Sequence, residues 1–144
     1  IRLRALGDAP EAFTSTFDRE ASYDEAKWRD VATTGRWFVA EDDGLVGVAV
    51  GLDRSGDPTR RELVGMWVAP SHRRTGLAGR LVARVKEWAA SEGATILSLG
   101  VRDDNAPALA AYRSMGLRLS GETMPEVGHP TKEIIVLECD VEPA

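Results

Sequence analysis

Cysteine is nearly absent from this chain of 144 residues, which carries only Cys139. One thiol excludes an internal disulfide and a cysteine-only metal site, and a reducing cytoplasm is the natural setting. No run of about 18 apolar residues occurs, so no membrane-spanning helix is expected. Arg2 and Arg4 are not followed by an apolar h-region, so no signal peptide is expected. Aromatic residues are few, at 6%, and only two histidines occur, His72 and His129. Neither has an evident partner in sequence, so both read as ordinary surface histidines, although His72 adjoins a basic turn. Two phosphate-binding fingerprints are also missing. There is no G-x-G-x-x-G and no G-x-x-x-x-G-K-[ST]. Repeats, linkers and low-complexity tracts are absent as well.

What is present suits one globular domain over residues 1–144, with 43% apolar and 28% charged residues. The net charge of −5 is uneven. Residues 1–60 sum to −4, residues 61–100 to +3 and residues 101–144 to −4. An acidic protein with one compact basic spot suits a small polyanion better than a nucleic-acid backbone.

The basic spot lies in Glu62-Leu63-Val64-Gly65-Met66-Trp67-Val68-Ala69-Pro70-Ser71-His72-Arg73-Arg74-Thr75-Gly76-Leu77-Ala78-Gly79-Arg80. Its apolar first part reads as a strand, ended by Pro70, which cannot donate to a ladder. Leu77, Leu81, Val85, Trp88 and Ala89 then recur at helical spacing. Between them lies a turn of small and basic residues. Such a turn brings free backbone N–H groups to a helix N-terminus, where they and the helix dipole favour an anion. Glycine lets a phosphate approach the backbone, and Arg73 and Arg74 offer charge-assisted bonds.

Elsewhere the pattern alternates between strands and helices. Residues 1–6 read as the end of a helix stopped by Gly7 and Pro10, and residues 8–22 as a helical turn and loop, with Phe13 and Phe17 capping the core. A helix capped by Ser22 or Asp24 runs to about Thr33, with Ala26, Trp28 and Val31 near the core. Arg36–Ala40 and Leu45–Leu52 form a hairpin about Asp43-Gly44, a pair suited to the positive φ values of a type I′ turn. Gly47, Ala49 and Gly51 leave one face of its second strand nearly bare, which marks close approach by a ligand or a packed helix. Ile96–Val101 follows the basic-turn helix, which implies a parallel strand pair with a right-handed crossover. A further helix starts at the N-cap Asn105 and stops at Gly116. Leu117–Leu119 begins another strand, residues 121–131 are a loop, and Ile134–Val141 is the last strand. Cys139 alternates with Ile135 and Leu137 and reads as a small buried hydrophobe.

Arg73-x-x-Gly76-x-Ala78 resembles the R/Q-x-x-G-x-G/A signature of the GNAT-superfamily N-acetyltransferases. Asn105-Ala106-Pro107-Ala108-Leu109-Ala110-Ala111-Tyr112-Arg113-Ser114-Met115-Gly116-Leu117 resembles that family's second signature, N-x-x-A-x-x-x-Y-x-x-x-G-[FL], in the expected order and context. Ala78 replaces a glycine and Leu117 the commoner phenylalanine. The resemblance implies the GNAT fold, an α/β (α+β) architecture. It has a mixed, mostly antiparallel central sheet, a splayed parallel strand pair and helices on both faces. The strand with which the family normally begins is missing, so the chain looks truncated or begins late.

The resemblance further implies acetyl transfer from acetyl-CoA to the primary amine of a small molecule, protein or peptide, by direct attack in a ternary complex. Tyr112 would be the acid that protonates the departing thiolate. Glu62, on the motif strand, is the candidate general base. Met66, Trp67 and Val68 would offer strand backbone to the pantetheine arm. Arg73, Arg74, Thr75, Gly76, Leu77, Ala78 and Gly79 would hold the pyrophosphate, while Arg80 reaches the 3′-phosphate or is merely solvated. Asn105 caps its helix and is also a candidate contact for the pantetheine. No metal, nucleic acid or membrane is expected, and a homodimer is compatible with this reading. An alternative is a non-catalytic acyl-CoA-binding regulatory module, which could dispense with Tyr112.

Overall fold

The computed structural model describes residues 1–126 and 129–142. It opens with three helices, α1 (Arg2–Asp8), α2 (Phe17–Ala21) and α3 (Glu25–Thr33), with a 3₁₀ turn at Pro10–Ala12. Strands β1 (Arg36–Glu41), β2 (Leu45–Leu52) and β3 (Arg60–Val68) follow, then helix α4 (Leu77–Ser91). The chain continues through β4 (Ile96–Arg102), α5 (Ala106–Ser114), β5 (Arg118–Glu126) and β6 (His129–Asp140). No strand precedes α1 among the described residues.

The strands form one six-stranded sheet in the order β1-β2-β3-β4-β6-β5. Only β3 and β4 run parallel, and every other neighbouring pair is antiparallel. This is the mixed sheet that the resemblance implies. The side-chain alternation of β2 explains the layering. Val46, Val48 and Val50 join Ala5, Leu6, Phe13 and Trp67 in the core beneath α1. Ala49 faces the other way, into the core formed with Leu81, Val85 and Ala89 of α4 and Leu97, Leu99 and Leu137 of the sheet. The two glycines flanking Ala49 admit a packed helix. A Cβ at Gly47 would meet Leu81 at 3.1 Å, and one at Gly51 would meet the Trp88 ring at 2.3 Å. The bare face is therefore filled by α4, and helices cover both faces.

Several boundaries differ from those the sequence suggests. Within residues 8–22, read as a helical turn and loop, residues 17–21 form α2, because the Thr16 hydroxyl accepts from the Arg19 amide and caps it. Phe13 is buried, but Phe17 is 44% exposed and does not cap the core. Asp24 is the residue that caps α3, accepting from the Lys27 amide at 2.8 Å. No residue of α3 is fully buried, so Ala26 is exposed, and Trp28 and Val31 are only half-buried. The β1–β2 hairpin pairs Glu41 with Leu45, leaving Asp42, Asp43 and Gly44 in the loop. Asp43 and Gly44 do take positive φ, 52° and 107°, but in a three-residue loop rather than a type I′ turn.

The largest difference is β5. Residues 121–131, with Pro125, Gly128 and Pro130, read as a loop, yet β5 runs on to Glu126 with Pro125 opposite Glu133. An edge strand tolerates proline because its outward N–H has no ladder partner to lose. Gly121 (φ 87°) lies where the register with β6 shifts, between Leu119 and Thr123. Residues 127 and 128 and the side chains of His129 and Pro130 lie outside the described residues.

Candidate functional site

The parallel pair is short. β3 meets β4 only through Arg60–Ile96, Arg61–Leu97 and Glu62–Ser98, whereas β4 stays paired with β6 up to Arg102. Beyond Glu62 the two strands splay. Gly65, at φ 63°, makes the bend, and the β2–β3 register slips by one residue there. From Leu63 to Val68 the edge of β3 that faces β4 therefore has no strand partner, and this leaves backbone groups for a ligand. Met66 and Val68 pack their side chains into the core on the α4 side and Trp67 into the core on the α1 side.

At the top of β3 a 3₁₀ turn, Pro70–His72, leads into the basic loop. Arg74 (φ 62°) and Gly76 (φ 83°) both take left-handed backbone, and Gly76 stands at the N-cap of α4. No side chain caps this helix. Among the described residues, the amides of Leu77, Ala78 and Gly79 have no acceptor. A Cβ at Gly76 or Gly79 would meet nothing within 4 Å. The end of α4 is thus an open, uncapped cluster of N–H donors. Thr75 is held by its own hydroxyl, which donates to the His72 carbonyl at 2.6 Å.

The basic side chains of this loop divide into two groups. Arg73 is committed to the fold: its Nε donates to the Val68 carbonyl at 3.0 Å and its Nη2 to the Asp8 carboxylate. Asp8 also accepts from the Trp67 indole at 2.9 Å. The Trp67 bond first, and then the Arg73 bond, hold the Asp8 carboxyl below the usual carboxylate range. Arg74 and Arg80 are exposed and have no ion-pair partner among the described residues. His72 is tied to Asp42 of the β1–β2 loop at 2.7 Å and to the Ser71 hydroxyl at 2.7 Å.

Tyr112 lies on α5, half-buried against the α4-side core. Its hydroxyl has no hydrogen-bond partner among the described residues, and burial pushes the phenol well above the ordinary tyrosine range. It therefore stays protonated at neutral pH, as a proton donor must. Asn105 caps α5 by accepting from the Ala108 amide at 3.3 Å. Cys139 is buried and free, and desolvation raises its thiol.

On the opposite face a cleft of about 480 Å³ opens beneath the splay, lined by Glu62, Val64 and Gly65 of β3 and Ser98 and Gly100 of β4. Glu62 faces this cleft, but its two oxygens receive Arg54, with Nη2 at 2.6 Å and Nε at 3.0 Å. That bond is the main cause raising the Arg54 pKa. So the splay, the uncapped α4 terminus and Tyr112 share one side of the sheet, and Glu62 sits on the other. Sequence spacing did not reveal Asp8, Arg54 or the Arg2–Glu20 pair. Each joins elements distant along the chain, and no local periodicity records such a contact.

The family model described as "Acetyltransferase (GNAT) family" matches residues 4–117. The chain belongs to the acetyltransferase (GNAT) family. That match spans both signature stretches, from the basic loop to Leu117, which is buried behind α5. Streptothricin acetyltransferase of Streptomyces lavendulae is 38% identical over 88 residues, covering 60% of this chain and 46% of its own length. Indeed, the chain spans less than half the length of the curated relatives it matches. Among solved structures, a GNAT-family protein from Desulfovibrio desulfuricans superposes with TM-score 0.77 at 19% identity, covering 97% of this chain and 90% of its own. A Salmonella typhimurium protein solved with its cofactor acetyl-CoA gives TM-score 0.70 at 20% identity, covering 99% and 87%. Both structural likenesses establish the GNAT fold with its splayed pair.

Proposed function

We propose that this GNAT domain, residues 1–144, is an acetyl-CoA-dependent N-acetyltransferase whose acceptor is an amine on a small molecule, protein or peptide. The observation that carries the reading is the splay of β3 from β4 beside an uncapped α4 terminus. A pantetheine arm adds to the unpaired edge of β3 at Met66, Trp67 and Val68, with its pyrophosphate on the amides of Leu77, Ala78 and Gly79. Arg74 and Arg80 supply the mobile positive charge for the phosphates, while Arg73 holds the loop in shape from within the fold. The related protein that holds acetyl-CoA supports this choice of anion.

The chemistry follows from the two faces. A neutral amine in the α1-side cleft attacks the thioester carbonyl, the tetrahedral intermediate collapses, and the C–S bond breaks. The leaving thiolate takes the Tyr112 proton. Removing the amine's proton falls to Glu62, directly or through water. A carboxylate has about four lone-pair sites, of which Arg54 takes one on each Glu62 oxygen, so the proton goes to one of the others. Asn105 fixes the start of α5 and so the height of Tyr112. The site lies within one chain, so a homodimer is not needed to complete it.

Calorimetry with acetyl-CoA followed by thiol release on an amine panel tests the reading. Binding plus turnover is expected. Absence of binding removes it, and binding with no turnover on any amine leaves an acyl-CoA-binding module instead.

A further inference from the structure

Three guanidinium groups border the cleft beneath the splay, and each already holds a carboxylate. Arg54 holds Glu62, Arg60 donates to Glu138 at 3.2 Å, and Arg2 holds Glu20 through Nε and Nη2, both at 2.9 Å. The Arg2 pair is the most enclosed of the three, with side chains only 21% and 4% exposed. The Arg2 guanidinium also lies 4.9 Å from the centroid of the Phe13 ring. Its orientation is therefore set by a buried carboxylate and an aromatic face together. The remaining nitrogen, Nη1, makes no hydrogen bond among the described residues. It lies 3.4 Å from the point a Cβ on Gly65 would occupy. Gly65 marks the bend where β3 leaves β4, so this free donor stands at the mouth of the splay, on the acceptor side.

We infer that Arg2 is the specificity-determining residue of the acceptor site and takes a neutral carbonyl oxygen next to the acceptor's amine, as in an amino-acid amide or a peptide N-terminus. The inference rests on the N-acetyltransferase reading above. Glu20 already neutralises Arg2, so a ligand carboxylate would bring a second, uncompensated negative charge to an enclosed pair. A carbonyl oxygen meets the free N–H groups without that cost. Because Glu20 and Phe13 fix the fork in advance, little side-chain entropy is lost on binding.

Thiol release from acetyl-CoA is compared for alaninamide, alanine and isopropylamine, with kcat/KM referred to the concentration of neutral amine of each at the assay pH. One hydrogen bond to a charged group corresponds to about 10- to 150-fold in kcat/KM, so alaninamide should exceed both others by that order. Arg2→Lys keeps the charge and loses the fork, and should collapse the amide-to-isopropylamine ratio. The melting temperature of Arg2→Lys reports whether it is folded; if it is not, the wild-type ratios alone decide. Equal turnover of all three acceptors, or an unchanged ratio in folded Arg2→Lys, overturns the role of Arg2. Preference for alanine overturns the neutral carbonyl in favour of a carboxylate. Failure of acetyl-CoA to bind in calorimetry instead overturns the parent reading and this inference with it.

Discussion

At the scale of single residues, protonation decides what the site can do. Tyr112 is pushed up by burial, so the neutral phenol is the form present at neutral pH. If Tyr112 protonates the leaving thiolate, its share is that of an acid–base group, roughly 10²–10⁴-fold. Tyr112→Phe should lower kcat by that order and leave the acetyl-CoA Kd nearly unchanged, because the ring still packs. The rate should also show no falling limb from phenol ionisation up to pH about 10, the ordinary tyrosine value. Saturating turnover that survives the substitution would remove Tyr112 from the chemistry. Glu62 poses the opposite problem, since Arg54 already occupies its carboxylate. If Glu62 takes the amine's proton, Glu62→Gln alters the acidic limb of the pH–rate profile; an unaltered limb assigns the proton to water alone.

At the scale of elements, the residues alone indicate close approach to β2 by a ligand or a packed helix, because a strand with glycine at alternate positions has room for one. The structure shows that the occupant is Trp88 rather than a ligand. A Cβ at Gly51 would stand 2.3 Å from that ring. Gly51→Ala should therefore destabilise the protein by about 1–3 kcal/mol, the usual cost of overpacking, read as a lower denaturant midpoint at unchanged m. An unshifted midpoint would show that α4 is free to lift. Gly47→Ala, facing Leu81 at 3.1 Å, should cost less because that side chain is flexible. Periodicity and the two signatures made β2, β3, α4, β4 and α5 legible, and with them the splayed pair, the basic turn and the position of Tyr112. They failed where long-range geometry overrides local preference. Proline hid the edge strand β5, and the α1 side of the site is built from pairs such as Arg2–Glu20 and Asp8–Arg73, which lie 18 and 65 residues apart.

At the scale of the molecule, those same pairs attach α1 to the remainder of the fold. Arg2 at its start grips Glu20 of α2, and Asp8 at its end grips Arg73 and Trp67, so one short helix links the cleft lined by Glu62 to the basic loop before α4. Burial alone would raise the Glu20 carboxyl, but the two Arg2 hydrogen bonds and the Arg2 charge bring it below its ordinary value. Asp8 is lowered by Trp67 and Arg73. A carboxylate whose folded pKa is depressed adds stability above its unfolded pKa, about 4, and loses that contribution as pH falls through the folded value. The α1 attachment is therefore intact at neutral pH and weakens below about pH 4. Asp8→Asn isolates one half of it, since the amide oxygen still accepts from Trp67 but carries no charge for Arg73. The melting temperature of Asp8→Asn should lie below that of the wild type at pH 7. The gap should narrow as both are acidified below about pH 4, where Asp8 becomes protonated and resembles its own replacement. A gap that stays constant from pH 7 to pH 3 would show that the Asp8 charge contributes nothing. In that case Arg73 is held by the Val68 carbonyl alone, and the basic loop keeps its shape without help from the Asp8 charge.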